Sequence, residues 1–487
     1  MKLFQHQKEG IAFLKETKRA ILADEMGLGK TRQAIIAAHD SSELCKLVIC
    51  PASLKINWER EIHIVYPDDE VFIVQSGPEQ DIPDVNWIVI NYDMLGKYAD
   101  QLAGFIKHGQ IDTGIVDEAH YIKGKSIRAD ETIKLLKDLE NVYMLTGTPI
   151  MNRPIELFNI LKGIKHPLSK VRTVYAKQYC GAQLKNIVQD LFTGKRFFVD
   201  SSRVFPFRAK RDRYRVMTFL DEGGATRLPE LRREISGVFL RRTKKEVLDL
   251  PDKIVSVQVC ELSPEAWREY HQAWEKYLEW VSNHPNIDED KIENILSAQH
   301  LIELGKLKQV CSLAKLENIT ADVKNAVDQE QKVIIFSQYT QTIKQLANQI
   351  GLEVKCVTLT GADDSESRQK SVDEFTNDPN TKVFIGNIKA AGVGLNLTSA
   401  SIVIFADMDW SPAIHQQAED RAHRIGQEGT VNVYYYVAKD TIEEDIVDIL
   451  GQKREIIQQI MDGKKIRVSA VEDDLIKRLS ARLGKTH

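Results

Sequence analysis

Ten short apolar runs constrain the fold of this chain more than any other feature. They are RAILA (19–23), KLVIC (46–50), NWIVIN (86–91), TGIVD (113–117) and VYMLT (142–146), then KVIIFS (332–337), VKCVTL (354–359), KVFIG (382–386), SIVIFA (401–406) and VNVYYYV (431–437). Each is short and nearly continuous, which suits a strand buried on both faces of a parallel sheet. Helical patterns follow the turns between them. That alternation builds βαβ units and places ligands beyond the carboxyl ends of the strands. The runs divide between the first and last thirds of the 487 residues and predict two stacked α/β lobes.

The middle, about 166 to 320, lacks that rhythm and reads as helical. In AWREYHQAWEKYLEWV (266–281), Trp267, Tyr270, Trp274, Tyr277 and Val281 fall at helical spacing and read as core packing. The segment ILSAQHLIELGKLKQVCSLAKL (295–316) is helical too. KRFFVDSSRVFPFRAKRDRYRV (195–216) is the one clear basic patch, and it reads equally as a phosphate-gripping hairpin or a solvated loop. Net charge is −4, so any polyanion site must be a local patch. The six cysteines are scattered without a C-x-x-C pair, and the histidines form no H-E-x-x-H, so reduced thiols and no structural zinc are expected. No run approaches the ~18 apolar residues of a membrane span, and MKLFQHQKEG at the start lacks an apolar leader. A soluble intracellular protein is the expectation.

Two motifs carry chemistry. After RAILA, the segment DEMGLGKT turns into the helical TRQAIIAAH, so backbone N–H groups and a helix dipole converge where phosphates bind. Asp24 stands where the strict phosphate-loop pattern asks for glycine, and alone the stretch also reads as a glycine turn capping a helix. Gly27 and Gly29 permit the backbone path, Lys30 would reach the β- and γ-phosphates, and Thr31 would ligate Mg²⁺. Eighty-six residues beyond Thr31, the run TGIVDEAH ends a strand with Asp117 and Glu118 in succession. An acidic pair at a strand tip suits metal and water chemistry: Asp117 for Mg²⁺, Glu118 to orient and deprotonate the attacking water. Together the motifs predict a nucleotide hydrolase.

DEMGLGKT, DEAH, LTGTP (145–149), AAGVGLNL (390–397) and QAEDRAHRIGQ (417–427) resemble motifs I, II, III, V and VI of the Swi/Snf-type ATPases, double-stranded DNA translocases of helicase superfamily two. In that family DEMGLGKT, aspartate included, is the usual phosphate loop. CPASLKINWERE, INYDML, FLRRTKKEVLDLPDK, IIFSQYTQTIKQL and DMDWSPAIHQQAEDR extend the likeness over nearly the whole chain. TGTPIMNRPIEL and IKAAGVGL look most like the HepA-related annealing-helicase branch.

The resemblance implies two RecA-like P-loop lobes with helical insertions between and within them. Lobe one would cover 1–165, a helical and basic insertion 166–250, a second helical insertion 251–320, and lobe two 321–487. It implies ATP and Mg²⁺ as ligands. Gln7 would read adenine, Asp24, Glu25, Met26, Gly27, Leu28, Gly29, Lys30 and Thr31 would cradle phosphates, and Gln417 would link nucleotide to the lobe interface. Arg421 and Arg424, three apart and read as one helix face, become arginine fingers acting on the γ-phosphate when the lobes close. Thr146 and Thr148 would connect that site to the DNA track.

DNA phosphates would meet Ser53, Lys55 and Asn57 on lobe one and Ser337, Gln338, Thr360, Asn387 and Lys389 on lobe two. Trp58 and Trp410 read as packing anchors, since duplex DNA presents no free base face. The leading expectation is a translocase on double-stranded or branched DNA that remodels, reanneals or strips protein from it, with DNA-stimulated hydrolysis. Alternatives are a strand-separating DEAH helicase, a vestigial ATP-gated scaffold, or the motor subunit of a restriction, defence or repair complex. A bare motor further suggests a cytoplasmic monomer of bacterial or phage type, or a nuclear one if eukaryotic.

Overall fold

The computed structural model describes residues 3–451, except 125, 148–153, 193–195, 200–206, 208–209, 211, 223, 283–297, 392–394 and 449. Two parallel sheets dominate. The first has the order β10-β1-β6-β5-β2-β4-β3, formed by β1 (Arg19–Leu22), β2 (Cys45–Cys50), β3 (Val71–Ile73), β4 (Trp87–Asn91), β5 (Ile111–Val116), β6 (Asn141–Leu145) and β10 (Phe239–Leu240). The second has the order β11-β16-β15-β12-β14-β13, formed by β11 (Lys253–Cys260), β12 (Val333–Ser337), β13 (Cys356–Leu359), β14 (Val383–Asn387), β15 (Ile402–Phe405) and β16 (Val431–Ala438). All ten expected runs are strands of these sheets. They are the two lobes that the sequence predicts.

Their unbroken apolar character has the expected cause. Alternate residues of one strand enter different cores: Leu47 and Ile49 of β2 pack on one face, Val48 and Cys50 on the other. The second sheet repeats this with Ile334 and Phe336 against Val333 and Ile335. Each fully buried Val, Leu or Ile contributes about 1.5–3 kcal/mol, so a polar residue inside a run would be costly. The acidic, hydroxyl and amide groups are held instead to the strand ends.

The middle differs from the helical expectation. Beside its helices it folds a three-stranded antiparallel sheet, β8-β7-β9, from β7 (Gln183–Asp190), β8 (Arg196–Val199) and β9 (Tyr214–Asp221). The inward positions of β7 include Asn186 and Asp190, and Asn186 accepts from Thr218 at 2.7 Å, so the buried face carries little apolar signal. Half of the basic segment 195–216 lies outside the described residues, the rest including β8 and the start of β9, and the glycines of AAGVGLNL and the C-terminal SAVEDDLIKRLSARLGK lie outside them too. The aromatic stripe is core: Tyr270, Trp274 and Tyr277 pack in the second lobe along helix Pro264–Ser282. Among the described residues no helix is long and apolar enough to cross a membrane.

Candidate nucleotide site between the lobes

Because both sheets are parallel, their loops gather on one edge. The loop after β1 turns through Gly27 (φ 85°) and Gly29 (φ 77°) into helix Lys30–Ser41. Positive φ explains both glycines, and crowding explains them again: a Cβ on Gly29 would stand 2.4 Å from Gln7 Nε2, and one on Gly27 would stand 2.7 Å from Arg424 Cβ. Gln7, on helix Gln5–Thr17, accepts from the Phe4 N–H at 3.1 Å and lies directly against the loop. Met26 packs under Gly147, where a Cβ would meet its Cγ at 2.5 Å. Thr146 at the end of β6 is buried, and Thr148 lies outside the described residues.

Lys30 donates to the Asp24 carbonyl at 2.8 Å and the Glu25 carbonyl at 3.3 Å. Burial pulls its ammonium below the ordinary value, against the opposing attraction of Glu118, Asp24 and Asp117. Asp24 corrects an expectation. Its carboxylate is fully buried and does not face the phosphate position. It receives Arg242 through the backbone N–H (3.1 Å), Nε (3.0 Å) and Nη2 (2.5 Å). The residue that breaks the strict glycine pattern anchors the loop to the segment after β10. Glu25 behaves similarly, accepting from Lys244 N–H at 2.8 Å, while Leu28 offers its carbonyl to Gln33 Nε2 at 3.1 Å.

Asp117 and Glu118 follow β5. Trp58 Nε1 donates to Asp117 Oδ2 at 2.9 Å, and Glu118 N–H donates to Asp117 Oδ1 at 2.9 Å. Trp58 is therefore more than the packing anchor expected. Glu118 adopts a left-handed backbone (φ 50°, ψ 52°), a conformation that costs a non-glycine residue on the order of 1 kcal/mol or more. Its Oε2 stands 3.2 Å from His120 Nδ1 but is not aligned as a hydrogen bond, so a buried oxygen remains for a further partner. Burial and the Glu118 charge push Asp117 up to about 6. Burial would raise Glu118 too, but His120, Lys30 and Arg421 outweigh it and hold the carboxyl down at about 2. Glu118 is the more acidic member of the pair and stands ionised, as a proton acceptor must.

The second lobe completes this site. Gln417, on helix Pro412–Glu419, donates Nε2 to Glu118 Oε1 at 3.2 Å across the interface. Arg421 and Arg424 lie beyond the end of that helix, in the turn after Glu419, and not on the helix face expected. From the turn, Arg421 donates Nη1 to the Leu395 carbonyl of its own lobe at 3.4 Å and lies within electrostatic reach of Glu118. Arg424 packs on Gly27, and its buried Nε donates to no acceptor among the described residues. Burial and the neighbouring Arg421 charge pull Arg424 down to about 10. A buried donor facing a phosphate loop fits an anion. The donors around Lys30, Thr31, Asp117 and the open Glu118 oxygen likewise suit a Mg²⁺–nucleotide. Lys244 ties the lobes by donating to Asp420 at 2.7 Å. Arg241 steadies the loop edge through the carbonyls of Ala23 (3.0 Å) and Gly147 (3.2 Å). Sequence reasoning missed Arg241, Arg242, Lys244 and His120, although a buried Asp24 needs a cation and the adjacent RR of FLRRTKK supplies one.

The proposed DNA contacts separate into two sets. Ser53 and Lys389 line one cavity of about 190 Å³ between the lobes, with Tyr92, Asp93, Tyr121, Arg128 and Arg368. Asn57 lies nearby in sequence, on helix Lys55–Val65. Lys55 turns inward and donates to the Val74 carbonyl at 2.7 Å, which leaves its ammonium away from any phosphate. Ser337 is fully buried and donates to Asp407. Gln338 donates to Asp407 Oδ1 (3.2 Å) and the Met408 carbonyl (2.6 Å), Asn387 to the Gln338 carbonyl (3.0 Å), and Thr360 to Asp363 (2.9 Å). These side chains shape strand ends. Asp407, which accepts from Ser337 and Gln338, was not foreseen. Trp410 lies under the Lys308 ammonium, 4.8 Å from the ring centroid, as a packing residue does.

Arginines of one parallel sheet lying against the phosphate loop of another define a two-lobe P-loop NTPase. The SNF2-related domain family matches residues 6–350, and the helicase conserved C-terminal domain matches residues 311–426. The chain belongs to the SNF2-related family and is an ATPase of that class. It is similar to "DNA annealing helicase and endonuclease ZRANB3" of Mus musculus, 30% identical over 97% of this chain and 42% of that protein. It is 31% identical to a Caenorhabditis elegans homolog of "SWI/SNF-related matrix-associated actin-dependent regulator of chromatin subfamily A-like protein 1", over 94% of this chain and 62% of that one. A solved Sulfolobus solfataricus SWI2/SNF2 ATPase core in complex with dsDNA is 27% identical, covers 99% of this chain and 96% of that chain, and has a TM-score of 0.41. The chain thus spans less than two thirds of the curated relatives it matches.

Proposed function

We propose that this chain is a DNA-stimulated ATPase that translocates on double-stranded DNA, acting to reanneal strands, remodel DNA or displace bound protein. One observation carries the reading: the nucleotide site and the basic cleft are both built from the two lobes, at the carboxyl ends of their strands. A motion of one lobe against the other therefore changes both. Reannealing is favoured among the three outcomes because the mouse relative is named an annealing helicase. Both lobes belong to one chain, so a monomer suffices.

In this reading Lys30 and the backbone N–H groups of Gly27 to Thr31 hold the β- and γ-phosphates, and Gln7 meets the adenine. Thr31 and Asp117 would hold Mg²⁺, which would supply positive charge to neutralise the nucleotide phosphates. Glu118 orients water and takes its proton, and Arg421 and Arg424 stabilise charge on the transferred phosphoryl group. Ser53 and Lys389 grip DNA phosphates with Arg128 and Arg368, without reading bases. ATPase rates measured side by side with duplex, single-stranded and forked DNA and with RNA test the proposal. Duplex should stimulate most. Equal stimulation by single-stranded RNA would overturn it in favour of a strand-separating helicase.

A further inference from the structure

Tyr92 occupies two places at once. It follows β4, and its side chain lines the inter-lobe cleft beside Ser53, Tyr121 and Lys389. Its hydroxyl reaches through the wall of that cleft to the acidic pair, donating to the Asp117 carbonyl at 2.6 Å and standing 3.5 Å from the Glu118 carbonyl. Tyr121, three residues beyond Glu118, stacks on Tyr92 with ring centroids 5.4 Å apart and planes at 9°. The Tyr121 N–H closes the loop by donating to the Glu118 carbonyl at 2.9 Å. The two rings and their hydrogen bonds form one unit, with Tyr121 (37% exposed) presented to the cleft, Tyr92 buried behind it (3% exposed), and the Tyr92 hydroxyl on the peptide between the two acids.

That peptide is where the backbone is least content. Glu118 holds φ 50° with a full side chain, a conformation that persists only when its surroundings over-determine it. The Asp117 carboxylate is already fixed by Trp58 and the Glu118 N–H, and its own N–H donates to the Ile49 carbonyl at 2.8 Å. Among the described residues the Tyr92 hydroxyl is the donor to the Asp117 carbonyl, and so restrains the torsions that aim Glu118.

We infer that Tyr92 is a positioning residue that transmits occupancy of the inter-lobe cleft to the Glu118 carboxylate. A duplex pressed against Tyr121 restricts the stacked rings, the Tyr92 hydroxyl holds the Asp117 carbonyl, and the left-handed turn keeps Glu118 on the attacking water. DNA then raises turnover through the geometry of the acid pair as well as through lobe closure. This rests on the proposal that DNA lies in the cleft.

Tyr92→Phe in the full chain removes the hydroxyl and keeps the ring. The expected result is a fall of about tenfold in duplex-stimulated kcat, with KM for ATP and half-saturating duplex concentration within twofold of the parent. A purely structural role would instead lower the melting temperature and shift all three parameters together. Stimulated kcat within twofold of the parent, at an unchanged melting temperature, overturns the inference while leaving duplex binding intact. A parent that shows no duplex stimulation overturns the DNA reading and this inference with it. If Tyr92→Phe is unstable, Tyr121→Leu decides: it removes the stacked ring and leaves the phenol–carbonyl bond. Lower stimulated kcat at unchanged KM for ATP supports the relay, and unchanged kcat overturns it.

Discussion

Asp24 and Arg242 form a buried, three-contact ion pair across 218 residues of sequence, and it joins the phosphate loop to the strap after β10. Arg242 also donates to Gln33 Oε1 at 3.1 Å and to the His6 carbonyl, so it clamps the loop, its helix and helix Gln5–Thr17 together. Removing one partner of such a pair leaves a buried charge uncompensated, at a cost of about 3–5 kcal/mol.

Asp24→Gly, which restores the strict glycine pattern, should therefore destabilise the protein by about 3–5 kcal/mol. Urea unfolding of Asp24→Gly, Arg242→Met and the double variant checks this, with the double variant closer to the parent than either single one. The same pair bears on truncation. A fragment ending near residue 165 lacks both β10 and Arg242, whereas one ending near residue 250 keeps them. Only the longer fragment should bind ATP as a folded domain, checked by its melting transition with and without nucleotide.

A second buried pair gives a pH signature. Lys315 donates to Glu443 at 2.6 Å and to the Tyr436 carbonyl at 2.7 Å, with both charged side chains fully buried beneath the second sheet. Burial raises the Glu443 carboxyl above its ordinary value even with Lys315 beside it. A raised folded pKa favours the protonated form, so that contribution is present at low pH and lost as pH rises through the folded value. Lys315→Met removes the opposing charge and should cost about 3–5 kcal/mol at pH 8. The deficit should shrink at pH 5, where Glu443 can take its proton. Denaturant midpoints at both pH values measure it, and a deficit independent of pH would rule out Glu443 as its source.

What could be read from the sequence follows from how local each interaction is. DEMGLGKT and DEAH stood out because polar residues ended unbroken apolar runs, and the parallel sheets did bring those ends together. Strand β11 was missed because it is an edge. Ile254, Val255, Val257 and Val259 are exposed, so it lacks the two-sided burial that marks the other long strands. Trp58, Tyr92 and Arg242 were invisible as site residues because each meets its partner only through the fold, at separations of 59, 25 and 218 residues. Lys55 misled for the opposite reason. A lysine beside a strand end looks like a phosphate contact until a long stem carries its ammonium to a backbone carbonyl.

Lys30 and Glu118 should fail differently. Lys30 supplies binding charge, so Lys30→Ala should weaken ATP binding and abolish turnover. Glu118→Gln keeps the side chain's shape and can still accept from Gln417, but cannot take a proton from water. Binding of a fluorescent ATP analogue should persist in Glu118→Gln while turnover falls by at least ~10²-fold. Turnover within twofold of the parent would remove Glu118 from the proton-acceptor role.

Arg424 tests whether the second lobe takes part in chemistry. It reaches the phosphate loop from the turn after helix Pro412–Glu419, packs against Gly27 and lies within electrostatic reach of Glu61 and Asp420. Among the described residues its buried Nε has no acceptor and it forms no ion pair, so its loss breaks none there. Arg424→Ala should therefore leave the fold nearly as stable as the parent and change ATP affinity only modestly. The DNA-stimulated rate should fall by ~10³-fold or more, equivalent to about 4 kcal/mol, the scale on which arginine fingers stabilise transition-state charge. Basal turnover should fall far less, because without DNA the closed arrangement is not enforced. Both rates are measured at saturating ATP, with and without duplex. Full DNA stimulation in Arg424→Ala would show that closure of the lobes does not deliver this residue to the reacting phosphate.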